Sequence, residues 1–171
     1  MRRAGSFIAR RIMISEAIPP IVIPAGDIGR LRRLALRALK DADPIARFLL
    51  SELDRATVFD TVNVPDDVVC VDHWVAFRED DGAAVSTRML ALPEDCINAD
   101  IHLSVMSPVG AALLGLRVGA RMPYRDDDGA TRVAAVESLA PPPGIAFFRR
   151  RPPRKDAFGP LPDPDPGPSA A

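Results

Sequence analysis

The sequence IHLSVMSPVGAALLGLRVG, from Ile101 to Gly119, carries the clearest signals of secondary structure in this chain. Its first five residues, Ile101 to Val105, alternate as in a short strand. Ser107-Pro108 then places a preferred N-cap residue before a proline at the first helical position, which predicts the start of a helix. Small and aliphatic residues follow, and they predict a short buried helix that ends near Gly119.

Alternating apolar residues predict further strands on both sides of this stretch. Before it, one strand face carries Val69, Val71, His73, Val75 and Phe77, and the other carries Cys70, Asp72, Trp74 and Ala76. Asp80-Asp81-Gly82 predicts a turn into a partner strand from Ala84 to Leu92. After it, Met122 to Arg125 and Thr131 to Leu139 form a second predicted hairpin. The pattern predicts a small, mostly antiparallel sheet domain with one short helix over residues 61–140.

Two helices are predicted before the sheet domain. Between Asp27 and Lys40 the apolar residues recur at spacings of three and four, which is typical of an amphipathic helix. Asp43-Pro44 repeats the cap-plus-proline signal, and the same period continues to about Thr57. Because so few residues separate them, the helices are expected to run antiparallel as a short helical hairpin, or coiled coil, over residues 21–60. The predicted fold class is α+β.

The two ends of the chain have a different composition. Residues 1–20 are rich in arginine near their start and are predicted to be a flexible N-terminal extension, with a transit peptide as the alternative. Residues 141–171 are rich in proline and are predicted to be a disordered tail. The basic run from Arg149 to Lys155 is either a contact for RNA or polymerase or a solubilising flank.

Composition excludes several classes of function. The formal net charge of -1 gives no global attraction to nucleic acid or to an anionic membrane. Aromatic residues make up 5% of the chain, which argues against a platform for base stacking. The two cysteines, Cys70 and Cys96, fit a reducing compartment, so the cytoplasm is expected. No segment approaches the roughly 20 apolar residues of a membrane span, and no membrane partner is expected.

The stretch from Ile101 to Gly119 resembles the signature of the GreA/GreB transcription factor C-terminal domain. Val68 to Arg78 and Leu92 to Asp95 resemble its first strand and the end of its second strand in the Rnk-like branch, the regulators of nucleoside diphosphate kinase. The short hairpin favours that branch, because GreA and GreB carry a long coiled coil. The resemblance covers about Ile21 to Leu139.

This resemblance implies an FKBP-like domain that docks on RNA polymerase near its secondary channel, with the hairpin directed toward that channel. It implies a monomeric, non-enzymatic transcription regulator that meets nucleic acid only through the polymerase and uses no cofactor or metal. One alternative is Gre-type stimulation of transcript cleavage, in which acidic residues at the hairpin tip help to hold a second magnesium ion. The other is prolyl isomerase activity, which rests on the FKBP-like fold alone.

The candidate partner-binding residues lie at two places. At the hairpin tip, Asp41 and Asp43 either contact a partner or a metal ion, or simply cap the helices. On the domain surface the candidates are Trp74, Ser107 and Pro108. Trp74 is either an exposed partner contact or a core residue, depending on whether its strand face is covered.

The remaining titratable clusters do not predict metal or catalytic sites. Asp126 to Asp128 precede Gly129 and are expected to form a solvated hairpin turn. Cys70 and His73 point to opposite faces of the predicted strand, so they do not form a zinc half-site. His73 is expected in the core or at the sheet edge, and His102 at the surface. With these placements the sequence offers no hydrolase triad.

Overall fold

The computed structural model describes residues 18–60, 63–81 and 83–142. Most of the predicted N-terminal extension, nearly all of the predicted tail and the turn residue Gly82 lie outside the described residues. The elements follow in the order β1 (Val22–Pro24), α1 (Ala25–Lys40), α2 (Pro44–Arg55), β2 (Thr57–Phe59), β3 (Trp74–Glu79), β4 (Ser86–Ala91), a 3-10 turn (Pro93–Asp95), β5 (His102–Ser104), α3 (Pro108–Leu113), β6 (Arg121–Arg125) and β7 (Thr131–Ser138).

Helices α1 and α2 form the predicted hairpin. They pack apolar stripe against apolar stripe, with Leu31 and Ala35 of α1 and Leu49 of α2 fully buried. Arg32, in the middle of α1, pairs with Asp54 near the end of α2, with 2.9 Å between the guanidinium nitrogen and the carboxylate oxygen. The hairpin and the mixed α+β class are therefore confirmed.

A small parallel sheet ties the base of the hairpin together, and the sequence did not predict it. Strand β1 pairs with β2, so that Val22 lies opposite Thr57. The backbone N–H of Thr57 also donates to the carbonyl of Ile21 at 2.9 Å. Helix α2 consequently ends at Arg55, and the predicted extension to about Thr57 is wrong.

The main sheet has five strands in the order β5-β4-β3-β7-β6. All neighbouring pairs are antiparallel except β4 and β5, which are parallel. The parallel pair arises because the chain crosses over between Leu92 and Ile101 before β5 begins. The prediction of a mostly antiparallel sheet with one short helix is confirmed.

The strand predicted from Val69 begins only at Trp74. Asp72 has a φ of 63°, which places it in the left-handed region and breaks the alternation. Val69 instead donates its N–H to the carbonyl of Leu116 at 2.9 Å, and both residues are buried. His73 is exposed, which rules out the core, one of the two places expected for it.

Helix α3 is shorter than predicted and ends at Leu113 instead of near Gly119. Gly115, with a φ of 77°, turns the chain into an extended piece that runs between β1 and Val69. The N–H of Val22 donates to the Gly115 carbonyl, and the Gly115 N–H donates to the Val69 carbonyl, both at 2.9 Å. This piece joins the hairpin to the sheet domain.

Hairpin and sheet share one hydrophobic core. Leu31 and Leu49 from the hairpin belong to the same buried cluster as Phe77 and Leu113. The hairpin is thus packed on the domain rather than standing apart from it. Within the described ranges, the longest helix is α1, and none has the length and hydrophobicity that crossing a bilayer requires.

Candidate partner-binding surface

The hairpin tip is built by helix capping. Asp41 directly follows α1 as its C-cap residue. Its backbone N–H donates to the carbonyl of Ala38 at 3.0 Å. Asp43 precedes α2, and its carboxylate accepts the N–H of Ile45 at 2.8 Å. Between them Ala42 has a φ of 60°, which allows the reversal in so few residues. The Asp43 carboxylate therefore serves as an N-cap, whereas the Asp41 side chain is exposed and makes no such bond.

Ser107 and Pro108 are held rigidly at the start of α3. The Ser107 hydroxyl donates to the carbonyl of Ser104 at 2.7 Å and accepts the N–H of Gly110 at 3.1 Å. A Cβ on Gly110 would lie 1.9 Å from the Ser104 carbonyl oxygen, so only glycine fits there. The short helix is thus pinned against the end of β5, and both Ser107 and Pro108 are half-buried.

A groove of about 630 Å³ separates the tip half of α2 from the end of the sheet where β6 turns into β7. Its lining is mostly apolar, with charged residues of both signs contributed by the β6–β7 turn. The lining residues are Pro44, Ile45, Phe48, Pro108, Pro123, Tyr124, Arg125, Asp126, Asp127, Gly129 and Thr131. We call this feature the hairpin groove. It brings Pro44, which directly follows Asp43, to the same surface as Pro108.

The wall of the groove is fixed by polar contacts. The Tyr124 hydroxyl donates to the Glu79 carboxylate at 2.5 Å, and burial together with this bond raises the pKa of Tyr124. Asp126 accepts from the Arg132 guanidinium at 2.7 Å, which holds the pKa of that carboxyl below its usual range. Arg132 also pairs with Asp80 at 3.0 Å. The β6–β7 turn is therefore braced in one conformation.

Trp74 does not belong to this surface. Only 7% of it is exposed, and it lies within the sheet opposite Met89 of β4. Of the two alternatives for this residue, its burial supports the core role. Of the predicted domain-surface residues, the groove includes Pro108, and Ser107 lies beside it as the cap.

The other side chains considered as metal ligands or catalytic groups do not lie together. Cys70 is buried, and this burial raises the pKa of its thiol to about 11, whereas His73 points to solvent. His102 is half-buried, and its Nδ1 accepts the N–H of Asn98 at 3.3 Å. Across residues 18–60, 63–81 and 83–142, no three His, Cys, Asp or Glu side chains converge as metal ligands would.

The sequence did not predict that Phe48 and Tyr124 line the groove. Phe48 has the spacing of the apolar stripe of α2, and Tyr124 lies within a short strand of alternating residues. Nothing in their local patterns distinguishes a groove residue from a core residue. They line one groove only because α2 and β6 both pack against α3, and those contacts depend on long-range packing.

Comparison with known proteins matches two parts of the chain to protein families. Residues 19–58 match the Rnk N-terminus family, and residues 64–138 match the family "Transcription elongation factor, GreA/GreB, C-term". The regulator of nucleoside diphosphate kinase from Escherichia coli K12 is 42% identical over 101 residues, which cover 59% of this chain and 74% of the relative. The Shigella flexneri protein of the same name matches to the same extent.

Among solved structures, the prokaryotic transcription elongation factor GreA/GreB from Nitrosomonas europaea superposes with a TM-score of 0.57 at 29% identity. The match covers 72% of this chain and 99% of that one. Two such domains in this order define a transcription-factor-like regulator. The chain belongs to the GreA/GreB family, in its branch of regulators of nucleoside diphosphate kinase.

Proposed function

We propose that this protein binds RNA polymerase near the opening of its secondary channel and regulates transcription by occupying that site, without catalysis of its own. The proposal is supported by the two family domains and by a relative that is named a regulator. The protein would act as a monomer in the cytoplasm and would meet nucleic acid only through the polymerase.

The observation that carries this proposal is the short hairpin packed on its own domain. Helix α1 has 16 residues and α2 has 12, so at 1.5 Å per residue the arms extend only about 24 and 18 Å. The core includes Leu31 and Leu49, and the hairpin groove places Pro44 beside the sheet domain. A hairpin tip that lies this close to the sheet domain can contact the rim of the channel, but it is too short to extend deep into the channel.

The same geometry does not favour the transcript-cleavage alternative. Two-metal hydrolysis needs several oxygen ligands aimed at the ions. The Asp43 carboxylate is engaged by the N–H of Ile45, which leaves Asp41 as the exposed carboxylate at the tip. Prolyl isomerase activity gains no support either, since a shared fold is weak evidence for a shared reaction.

We expect the contact with polymerase to include Pro108, because it lies at the groove on the rigid start of α3. The test is a pull-down of core RNA polymerase with the tagged full chain, followed by an affinity measurement. Pro108→Ala should weaken binding about tenfold, as for one well-packed interface residue.

A matched control is Pro93→Ala, because Pro93 also begins a short helical turn but lies outside the hairpin groove and is exposed. This variant should bind polymerase as the unchanged chain does, and both variants should keep the same melting temperature. If core polymerase does not co-purify with the unchanged chain, the proposal is wrong. Equal weakening of binding by both substitutions would mean that Pro108 is not part of the contact with polymerase.

A further inference from the structure

A second groove, of about 440 Å³, lies between α1 and the 3-10 turn that follows β4. Its volume falls within the roughly 300 to 1,000 Å³ of small-molecule sites. We call it the arginine groove, and its lining residues are Arg30, Arg33, Leu34, Arg37, Leu92 and Glu94. Leu92 belongs to the main hydrophobic core and Leu34 packs against that core, so the helix and the turn are held in place relative to each other.

Three guanidinium groups share one wall of this groove. Arg30, Arg33 and Arg37 follow one another at spacings of three and four, which places them on one face of α1 over about 10 Å of helix axis. All three residues are exposed, and none forms an ion pair with another described residue. Arg32 on the same helix, in contrast, is paired with Asp54. The arginines of the groove are therefore available to an anionic ligand.

The opposite wall carries one negative charge. Glu94 lies in the 3-10 turn, is exposed and forms no ion pair with the rest of the described chain. Neither Asp27, the acidic residue in the first turn of α1, nor Asp95 lines the groove. Three positive charges face one carboxylate, so the groove attracts an anion that also carries hydrogen-bond donors.

A nucleotide has both kinds of group. Its phosphates are negative and accept from guanidinium groups, whose paired N–H donors match phosphate geometry. Its ribose hydroxyls donate to a carboxylate, as they do in dinucleotide-binding folds. An inorganic phosphate chain offers acceptors only, and Glu94 would repel it. The lining contains no aromatic side chain, so the groove offers no stacking surface for a base.

We propose that the arginine groove binds a nucleoside polyphosphate, with Arg30, Arg33 and Arg37 on the phosphates and Glu94 on the ribose hydroxyls. The base stays in solvent, so adenine and guanine nucleotides bind equally well. Because the charged groups are exposed, salt screens the contact and the affinity falls as ionic strength rises. Binding needs no polymerase, so this inference goes beyond the proposed function and is tested separately from it.

The test is calorimetric titration of the full chain with magnesium-free ATP, GTP, 2′,3′-dideoxy-ATP and inorganic triphosphate. We expect ATP and GTP to bind with dissociation constants within about twofold of each other. Dideoxy-ATP should bind about fivefold more weakly than ATP, because it lacks the hydroxyls that donate to Glu94. Raising the salt concentration from about 50 to 200 mM should weaken ATP binding about threefold.

Arginine variants identify the phosphate contacts. Arg33→Gln should weaken ATP binding about threefold, as for one exposed charge pair. The triple variant Arg30→Gln, Arg33→Gln and Arg37→Gln should weaken it about thirtyfold. Arg47→Gln is the matched control, because Arg47 is exposed on α2, outside the groove, and should leave the affinity unchanged. All these side chains are exposed, so the variants should melt at the temperature of the unchanged chain.

Glu94→Ala tests the ribose contact. In this variant ATP and dideoxy-ATP should bind with equal affinity, because the acceptor for the hydroxyls is gone. Inorganic triphosphate should bind about threefold more tightly than it binds the unchanged chain, since the repelling charge is also gone.

Four outcomes would overturn the proposal. The first is that ATP does not bind the unchanged chain, and the second is that Arg33→Gln and Arg47→Gln weaken ATP binding equally. The third is a preference of the unchanged chain for inorganic triphosphate over ATP, or a preference for ATP over dideoxy-ATP that persists in Glu94→Ala. The fourth is a short single-stranded RNA that binds more tightly than ATP and displaces it, because the groove would then be a nucleic-acid contact.

Discussion

The backbone N–H of Val22 donates to the carbonyl oxygen of Gly115 at 2.9 Å. Val22 belongs to the strand that opens the hairpin, and Gly115 follows the short helix of the sheet domain. The two matched family domains are therefore joined by main-chain hydrogen bonds as well as by a shared core. This junction fixes where the hairpin points relative to the sheet.

The first prediction concerns Gly115. A Cβ at this position would lie 2.9 Å from the Val22 carbonyl oxygen and 3.1 Å from the Ile21 Cβ, at a φ of 77°. Gly115→Ala should therefore lower the free energy of unfolding by about 3 kcal/mol, from backbone strain and crowding together. Urea unfolding measures this loss.

Gly119→Ala is the matched control. Its φ of 83° imposes similar strain, but nothing lies within 4 Å of the added Cβ. We expect a loss of about 1 kcal/mol. Equal losses of unfolding free energy for the two variants would show that the close approach of β1 to Gly115 does not add to the cost of the Gly115 substitution.

The second prediction separates the two aspartates of the hairpin tip. Asp43→Ala removes the bond from the Ile45 N–H and should cost about 1 kcal/mol of stability. Asp41→Ala removes an exposed side chain without such a bond and should change stability by less than about 0.5 kcal/mol. Thermal unfolding of both variants checks this, and a larger effect at Asp41 would contradict the assignment of the cap.

The third prediction concerns Glu52, the buried charged residue at the base of the hairpin. Its carboxylate pairs with Arg55, which also donates to the Pro19 carbonyl. Arg55→Ala should cost about 3 kcal/mol, because it leaves a buried carboxylate without its partner.

The exposed pair between Arg32 and Asp54 is the control for this prediction. Arg32→Ala should change the free energy of unfolding by less than about 0.5 kcal/mol, since solvent screens that pair. Chemical denaturation compares the two arginine variants. Similar losses would mean that the burial of Glu52 does not govern the effect.

The fourth prediction follows from Tyr124, the single tyrosine of the chain. Burial, with the bond to Glu79, raises its pKa above the ordinary value near 10. The unfolded chain loses this proton first, so the contribution of Tyr124 to stability is constant below pH 10 and declines above it. Tyrosinate absorbance should therefore appear at higher pH in the folded chain than in denaturant.

Glu79→Gln tests the cause of this shift. It removes the negative charge beside the phenol while keeping an oxygen acceptor in place. The folded-state pKa of Tyr124 should move back toward 10 without returning fully, because burial remains. A Tyr124 that titrates identically in the folded and denatured chains would contradict the described groove wall.

Much of this fold could be predicted from local sequence because its signals are local. Asp43-Pro44 and Ser107-Pro108 start helices where the structure has them, and the spacing of Leu31 and Leu49 identifies buried faces. Strand β2 was missed because its three residues are stabilised by pairing with β1, far away in sequence. Nothing in the sequence around Asp72 predicts its left-handed conformation, after which β3 begins at Trp74.

The candidate surface was predictable only in part. The helix-start motif identified Pro108 as a candidate. Phe48 and Tyr124 are 60 and 16 residues away from Pro108 in sequence, and they lie on the same groove only in the folded chain. The exposure of Trp74 was undecidable from alternation, because either face of a sheet can be covered. Packing, rather than any local pattern, determines which of these residues share a surface.

Occupancy of the polymerase channel rim is tested by transcript cleavage in a backtracked elongation complex. The protein alone should release no shortened RNA. Added to a complex that a long-hairpin Gre factor is cleaving, it should slow cleavage, and more Gre factor should restore the rate. Cleavage by the protein alone, or a Gre-factor rate that stays unchanged at every concentration of the protein, would mean that the protein does not act by occupying the channel rim.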